Sequence, residues 1–145
     1  SVTGINQKRV WNHVTNADHA DVAITFTDGS RALFTNSDLA AARKPKFYVL
    51  GTTGAIVGNW DPAAGATPAD LSAILTIHRA DGSSQVIAND SVSPYSFHQS
   101  VVAYINNKTP MGVTTQQSRD VVAIMQAAEE SALANGHPVK PVLLR

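Results

Sequence analysis

The alternation of apolar and polar residues between positions 21 and 60 predicts four consecutive β-strands. DVAITFT and SRALFTN are rich in β-forming residues and flank Asp28-Gly29, a pair that suits the two positive-φ positions of a type I′ turn. KFYVL ends at Gly51, and a further apolar run covers residues 55–60. We therefore expect a β-hairpin followed by two more strands.

A two-residue turn at Asp28-Gly29 would pair Ile24 with Leu33 and would define the two faces of the hairpin. One face, expected to be core, would hold Val22, Ile24, Phe26 and Leu33. The other is small, uncharged and suited to close approach of a second sheet. We expect it to be a dimer face, with Phe47 or Tyr48 beside it; its residues are Ala23, Thr25, Thr27, Ala32 and Phe34.

The glycine-rich segment from Gly51 to Gly58 has two interpretations. It follows a predicted strand, as a dinucleotide-binding loop does. However, the glycine spacing is not G-x-G-x-x-G, and the following residues are β-branched and broken by Pro62, where such a loop needs a helix. The pattern favours a sharp turn between adjacent strands.

The remaining pattern predicts more strands and then two helices. Residues 2–11 and 71–79 are strand-like, Asp81-Gly82 predicts a second hairpin to residues 85–88, and 61–70 is a loop. The segment 37–43 fits a short helical turn or a loop, and 139–144 fits a closing strand. The expected fold class is α+β, a single domain over 1–145 with helices on one face of an open, largely antiparallel or mixed sheet.

Both helices carry start and stop signals. The first, over about 94–107, has Ser93 as N-cap and Pro94 in its first turn. The second, over about 115–135, begins with a capping box from Thr114 to Gln117 and stops at Asn135-Gly136. Each carries an apolar stripe at helical spacing.

Composition limits the function classes. The 145 residues are 43% hydrophobic, with 11 basic and 11 acidic side chains, so no global field attracts nucleic acid or an anionic membrane. The absence of cysteine excludes a disulfide scaffold and a thiol nucleophile and is compatible with the cytoplasm, where we place the protein. No apolar run reaches membrane-spanning length, and the N-terminus lacks the layout of a signal peptide. Because the chain opens directly in a strand, we expect it to be a fragment.

Candidate chemistry is sparse. The five histidines form no ligand pair at metal-binding spacing, so no metal site is predicted, and no serine elbow or other catalytic set stands out. Trp11 and Trp60 would suit a sugar site, or else a core or an interface. The basic cluster Arg43, Lys44 and Lys46 is either a solvated connection or a contact for an anionic group in a neighbouring site.

The order of these features resembles the C-terminal domain of the glucose-fructose oxidoreductase / inositol dehydrogenase / rhizopine-catabolism (Gfo/Idh/MocA) family. The matching segments are AITFTDGSRALFTNSD, FYVLGTTGAI, PYSFHQSVVAYINNKTP and, most strongly, VTTQQSRDVVAIMQAAEESALANGHPV. The resemblance covers nearly all of the chain. It implies an open, mixed sheet flanked by helices, which covers the active site and forms the dimer interface.

The resemblance also implies what lies elsewhere. The family's Rossmann domain, the lysine of its Glu-Lys-Pro motif and its proton-transferring histidine would all precede Ser1, so no residue of this chain inherits a catalytic or cofactor-binding role. The intact protein would be an NAD- or NADP-dependent oxidoreductase acting on a sugar, inositol or related polyol. This chain would bind no cofactor itself and would supply dimer contacts and cleft walls, with Arg43, Lys44, Lys46 and Trp60 as candidates.

The competing hypothesis is a free-standing α+β binding or assembly module without catalysis. The reading frame upstream of Ser1 separates the two. A preceding segment of Rossmann length with G-x-G-x-x-G and Glu-Lys-Pro would support the enzyme, whereas a start codon at Ser1 would support the module.

Overall fold

A computed structural model describes residues 1–60, 73–88 and 95–143. Within them lie two antiparallel sheets, of order β1-β2-β3 and β4-β5-β6-β7, and two helices, so the α+β class is confirmed. The strands are β1 (Val2–Gln7), β2 (His19–Thr25), β3 (Arg31–Ser37), β4 (Phe47–Leu50), β5 (Gly54–Trp60), β6 (Ala73–Arg79) and β7 (Ser84–Ile87). The helices are α1 (Ser96–Asn107) and α2 (Thr115–Leu133).

The chain divides into two compact units. The first comprises Ser1–Ala40 with Pro94–Arg145, and the second comprises Ala41–Ser93. The three-stranded sheet and both helices belong to the first unit, and the four-stranded sheet belongs to the second.

The hairpin between β2 and β3 closes through three residues, and the predicted two-residue turn is wrong. Phe26 donates its N–H to the Ser30 carbonyl at 2.9 Å, and the Gly29 N–H donates to the Phe26 carbonyl at 3.2 Å. Asp28 accepts from the N–H and the hydroxyl of Ser30. A type I′ turn would need a positive φ at both Asp28 and Gly29, whereas this loop needs it only at Gly29, where φ is 87°.

The longer loop shifts the register by one residue and regroups the faces. Val22 lies opposite Phe34, Ile24 opposite Ala32, and Ala23 opposite Leu33. Ala32 and Phe34 therefore share the face of Val22 and Ile24, while Leu33 joins Ala23 on the other face. The predicted grouping of Ala23, Thr25, Thr27, Ala32 and Phe34 on one face is wrong, and Thr27 lies in the loop.

Helix α2 packs on β1 and forms the core of the first unit. Val2 is fully buried against Ala127 and Ala128, with Val22 and Ile24 beside them. The closest approach is at Gly4, where an added Cβ would lie 2.1 Å from the carbonyl oxygen of Ala128, so a side chain there would require the helix to move.

The predicted signals of α2 are present. Thr114 accepts from the Gln117 N–H at 3.1 Å, and the Gln117 side chain accepts from the Thr114 N–H at 2.8 Å, which completes the capping box. At the other end Asn135 adopts a left-handed φ of 56°. The Gly136 N–H then bonds the Ser131 carbonyl at 2.8 Å, the pattern of a Schellman motif.

The second unit is an antiparallel meander. Phe47 pairs with Gly58 and Gly58 with Leu75, and the Gly51 N–H bonds the Gly54 carbonyl at 2.8 Å. The glycine-rich segment is thus the predicted tight turn: it leads into β5 and not into a helix. Asp81-Gly82 turns between β6 and β7, as predicted, again with a three-residue loop in which the Arg79 N–H bonds the Ser83 carbonyl.

Several predicted boundaries differ from the structure. β1 ends at Gln7 instead of Trp11, residues 37–43 contain no helix, and the predicted closing strand is a single bridge between Val2 and Val139. Helix α1 has Tyr95 as its N-cap residue. The predicted cap at Ser93-Pro94, the loop 61–70, residues 71–72 and the end of the chain lie outside the described residues. β3 and β4 belong to different sheets, so Phe47 and Tyr48 do not extend the predicted dimer face through β3.

Candidate functional site

The four residues predicted to line a cleft lie together at one end of the second unit's sheet. Trp60 is the last residue of β5, and the basic residues occupy the segment that leads into β4. The Trp60 indole N–H donates to the Lys44 carbonyl at 2.8 Å, and the Lys46 N–H donates to the Gly58 carbonyl at 2.7 Å. These two bonds hold the basic segment against β5. We call the group Arg43, Lys44, Lys46, Phe47 and Trp60 the Trp60 cluster.

Two cations of the Trp60 cluster lie over its aromatic rings. The guanidinium carbon of Arg43 is 5.0 Å from the centroid of the Trp60 ring. The Lys46 Nζ is 5.1 Å from the same ring and 5.8 Å from the centroid of Phe47. All three contacts fall within the range of cation–π attraction. The sequence singled out the cations and the tryptophan separately, whereas the participation of Phe47 was missed.

The donors of Arg43 remain available. Within the described part of the chain, no carboxylate lies within 4.0 Å of its guanidinium, and the only ion pair there joins His19 and Asp21. Stacking on an aromatic ring occupies the face of a guanidinium and leaves the N–H groups in its plane free to bind a carboxylate or phosphate at two points. The cluster therefore presents cationic donors that suit an anion.

A second ordered segment, which the sequence did not predict, is the loop that follows β1. Asp18 is fully buried, and its carboxylate accepts the backbone N–H groups of Arg9, Val10 and Trp11 at 2.6–3.0 Å. The bond from Val10, followed by those from Trp11 and Arg9, lowers the pKa of Asp18 against the opposing effect of its burial. Trp11 itself is partly exposed, with its ring 6.3 Å from that of His13. One aspartate thus fixes the loop, and no sequence spacing marks it.

The face of the three-stranded sheet opposite α2 is open, and we call it the open face. It carries Ala23 and Thr25, as expected, but also Ile5, Leu33 and a polar group. In that group the Asp21 carboxylate accepts the Thr35 hydroxyl at 2.6 Å and contacts His19 Nε2 at 3.1 Å. The expectation of an uncharged face is therefore wrong, since Asp21 and Arg31 lie on it. Leu33 is 78% exposed and Ile5 is 50% exposed.

Other features of the described residues suggest no further site. They contain no cluster of three metal-ligating side chains and no helix long and apolar enough to cross a bilayer. A shallow groove of about 370 Å³ between α2 and the C-terminal segment carries side chains of both charges, Arg119, Glu130 and Lys140. His98 is exposed on α1 and contacts Tyr95 and Phe97 at its ring edges.

Comparison with known proteins identifies the fold. No family model and no curated protein matches the chain. Among solved structures, YvaA from Bacillus subtilis, assigned as an oxidoreductase, superposes with a TM-score of 0.72 over 99% of this chain and 44% of its own, at 17% identity. An oxidoreductase from Bacillus cereus superposes with a TM-score of 0.65 over 99% of this chain and 53% of its own, at 17% identity. An NAD-binding protein from Listeria innocua superposes with a TM-score of 0.61 over 92% of this chain and 40% of its own, at 19% identity.

These comparisons establish the class of fold. The chain has the fold of a domain found within larger proteins assigned as oxidoreductases, and it spans about half the length of those structures or less. The α+β class expected from the resemblance is confirmed, whereas the single open, mixed sheet that it implied is wrong for the described residues, which form two antiparallel sheets.

Proposed function

We propose that this chain is the C-terminal domain of an NAD(P)-dependent oxidoreductase of the Gfo/Idh/MocA type that acts on a sugar, inositol or related polyol. The observation that carries the proposal is the superposition of 99% of the chain on less than half of an assigned oxidoreductase. Other solved relatives of the fold include an NAD-binding protein and a protein assigned as an NADPH-dependent oxidoreductase from Desulfitobacterium hafniense. The sequence segments that resemble the family support the same assignment.

In this proposal the chain contributes cleft walls and not the chemical step. A Rossmann domain elsewhere in the intact protein would hold NAD or NADP, which accepts hydride, and would supply the lysine and histidine that polarise and deprotonate the hydroxyl. The described glycine-rich turn leads into β5, so it provides no helix N-terminus for a pyrophosphate. The Trp60 cluster is the proposed wall of the substrate cleft.

The open face is the proposed dimer contact. Leu33 and Ile5 project from it together with the small residues Ala23 and Thr25. Isologous pairing across a twofold axis is the commonest way in which soluble proteins bury such a surface. Asp21 and Arg31, of opposite charge, would then contribute to the specificity of pairing.

Binding and turnover measurements test the proposal. Calorimetry of the 145-residue chain should show no micromolar binding of NAD⁺ or NADP⁺, because the cofactor site belongs to another domain. The protein encoded by the complete reading frame should bind one of the two cofactors and reduce it in the presence of a polyol such as inositol. Micromolar cofactor binding by the isolated chain, or a reading frame without a Rossmann segment, would contradict the proposal and favour a free-standing binding module.

A further inference from the structure

We propose that the Trp60 cluster is a recognition site for the carboxylate or phosphate group of a small molecule, with Arg43 as its two-point partner. The cluster brings two cationic side chains, those of Arg43 and Lys46, to one tryptophan, whose indole N–H also bonds the backbone carbonyl of Lys44. This inference deepens the proposed cleft role and rests on it only for the statement that the anion belongs to the substrate.

The Trp60 ring orients the guanidinium of Arg43 before any ligand binds. A lone arginine on a surface loop samples many rotamers, and ordering it upon binding costs free energy. Here the Trp60 ring supports the guanidinium of Arg43 at 5.0 Å. The ring itself is held by the hydrogen bond from its indole N–H to the Lys44 carbonyl. Binding an anion would therefore require less reordering than at an isolated arginine.

The backbone of the basic segment is fixed as well. A solvated connection needs no fixed position, but this segment is tied to β5 by the 2.7 Å bond from the Lys46 N–H to the Gly58 carbonyl and by the indole bond. The two bonds hold the segment that carries Arg43 beside the Trp60 ring, so the position of the guanidinium is set by the fold of the second unit.

The aromatic rings of the Trp60 cluster indicate the class of ligand. Trp60 is half-buried and Phe47 is 51% exposed, so aromatic surface adjoins the cationic donors. Aromatic faces pack against the C–H edges of sugar rings, and guanidinium N–H groups match carboxylate and phosphate oxygens. The combination fits a sugar acid or a sugar phosphate better than a neutral polyol.

Fluorescence of Trp60 provides the test. The variant Trp11→Phe leaves Trp60 as the only tryptophan of the chain. At constant ionic strength, titration with glucuronate and with glucose 6-phosphate should each change the emission saturably, and the stronger of the two identifies the preferred anion. Inorganic phosphate should bind more weakly, and neutral glucose should produce no saturable change at the same concentrations.

Substitutions distinguish a specific contact between Arg43 and the ligand from nonspecific attraction by the positive charge of the protein. In the Trp11→Phe background, Arg43→Gln should weaken the preferred ligand about tenfold, as loss of a charge-assisted two-point contact predicts. Arg43→Lys should also weaken it because an ammonium lacks the planar donor fork. The control Arg31→Gln removes an equal charge from β3, in the other unit, and should leave the affinity unchanged.

Three results would overturn the site: no saturable response to any anion, an equal response to glucose, or unchanged affinity in Arg43→Gln or Arg43→Lys. These measurements need neither cofactor nor turnover. A complete protein that fails to oxidise polyols would therefore contradict the proposed function but not the anion site. An active enzyme whose Trp60 fluorescence does not respond to any anion would contradict the anion site but not the proposed function.

Discussion

At the scale of single residues, Asp18 shows how one buried carboxylate can order a loop. Its oxygens satisfy three consecutive backbone N–H groups that no strand or helix would otherwise bond. The residue was not distinguishable from the other aspartates in the sequence because its partners are backbone atoms, which every residue supplies. Its burial and its hydrogen bonds depend on the backbone conformation of the loop, which only the three-dimensional structure gives.

We predict that Asp18→Asn destabilises the chain at neutral pH and has little effect in acid. The folded-state pKa of Asp18 is lowered, so its contribution is fully present above the unfolded value of about 3.9 and is lost as the pH falls through the folded value. Urea unfolding at pH 7 should give a lower midpoint for Asp18→Asn than for the parent, and the difference should narrow below about pH 4.

The matched control for this prediction is Asp38→Asn, which removes an exposed carboxylate directly after β3 of the same sheet. Its unfolding midpoint should equal that of the parent at both pH values. A pH-independent loss in Asp18→Asn would show that the asparagine disrupts packing and not the charged hydrogen bonds.

The Trp60 cluster shows a second limit of prediction from sequence at the scale of single residues. Arg43, Lys44, Lys46 and Trp60 were each recognisable from residue type, because cations and tryptophan stand out in a chain with few of either. Their contact depends on the pairing of Phe47 with Gly58, which brings the start of β4 beside the end of β5. Fourteen positions separate Trp60 from Lys46, so no local pattern indicates the contact.

At the scale of elements, local signals predicted the ends of α2 well. The capping box at Thr114 and the stop at Asn135-Gly136 were both present, since each depends on side chains and φ values within a few residues. The docking of α2 was not predictable in the same way. It depends on Ser131, whose buried hydroxyl accepts the Gly4 N–H at 3.0 Å and donates to the His137 carbonyl at 2.7 Å.

We predict that Ser131→Ala lowers the free energy of unfolding by about 1–3 kcal/mol, because the buried Gly4 N–H and the part-buried His137 carbonyl lose their partner. Chemical denaturation followed by circular dichroism would measure the loss. Ser118→Ala, on an exposed part of the same helix, should cost less than half as much. Equal losses in the two variants would mean that the Ser131 hydroxyl does not hold α2 to β1.

The β2–β3 hairpin shows how a single residue changes the expectation for a whole face. Both the two-residue and the three-residue loop contain Asp28-Gly29, and the strand pattern tolerates either register because Phe34 and Leu33 are both apolar. The preference for one positive φ over two, together with the bonds from Ser30 to Asp28, favours the longer loop. Leu33 consequently lies on the open face.

At the scale of the whole molecule, we predict that the chain dimerises through the open face. Sedimentation of the unmodified chain at tens of micromolar should show a dimer, and Leu33→Glu or Thr25→Lys should shift it to a monomer without loss of folding, because both place charge in the proposed contact. Ala32→Glu, now known to face the α2 side, should reduce stability instead.

Val121→Glu provides the control for assembly, since it exchanges an exposed apolar residue for an acid on α2, away from the sheet. It should remain dimeric. A monomeric parent chain, or dimers that persist in both Leu33→Glu and Thr25→Lys, would remove the open face as the contact.

The sequence by itself determined the α+β class, the identity of every strand and helix in the described ranges, the tight turn at Gly51–Gly54 and the ends of α2. These features follow from side-chain periodicity and from backbone preferences that act over a few residues. Only the tertiary structure decided which face of the hairpin meets α2, the separation of the strands into two sheets, the burial of Asp18 and the stacking of Arg43 on Trp60. Each of these depends on contacts between distant segments, where a one-residue change in a loop alters the partner of every side chain that follows.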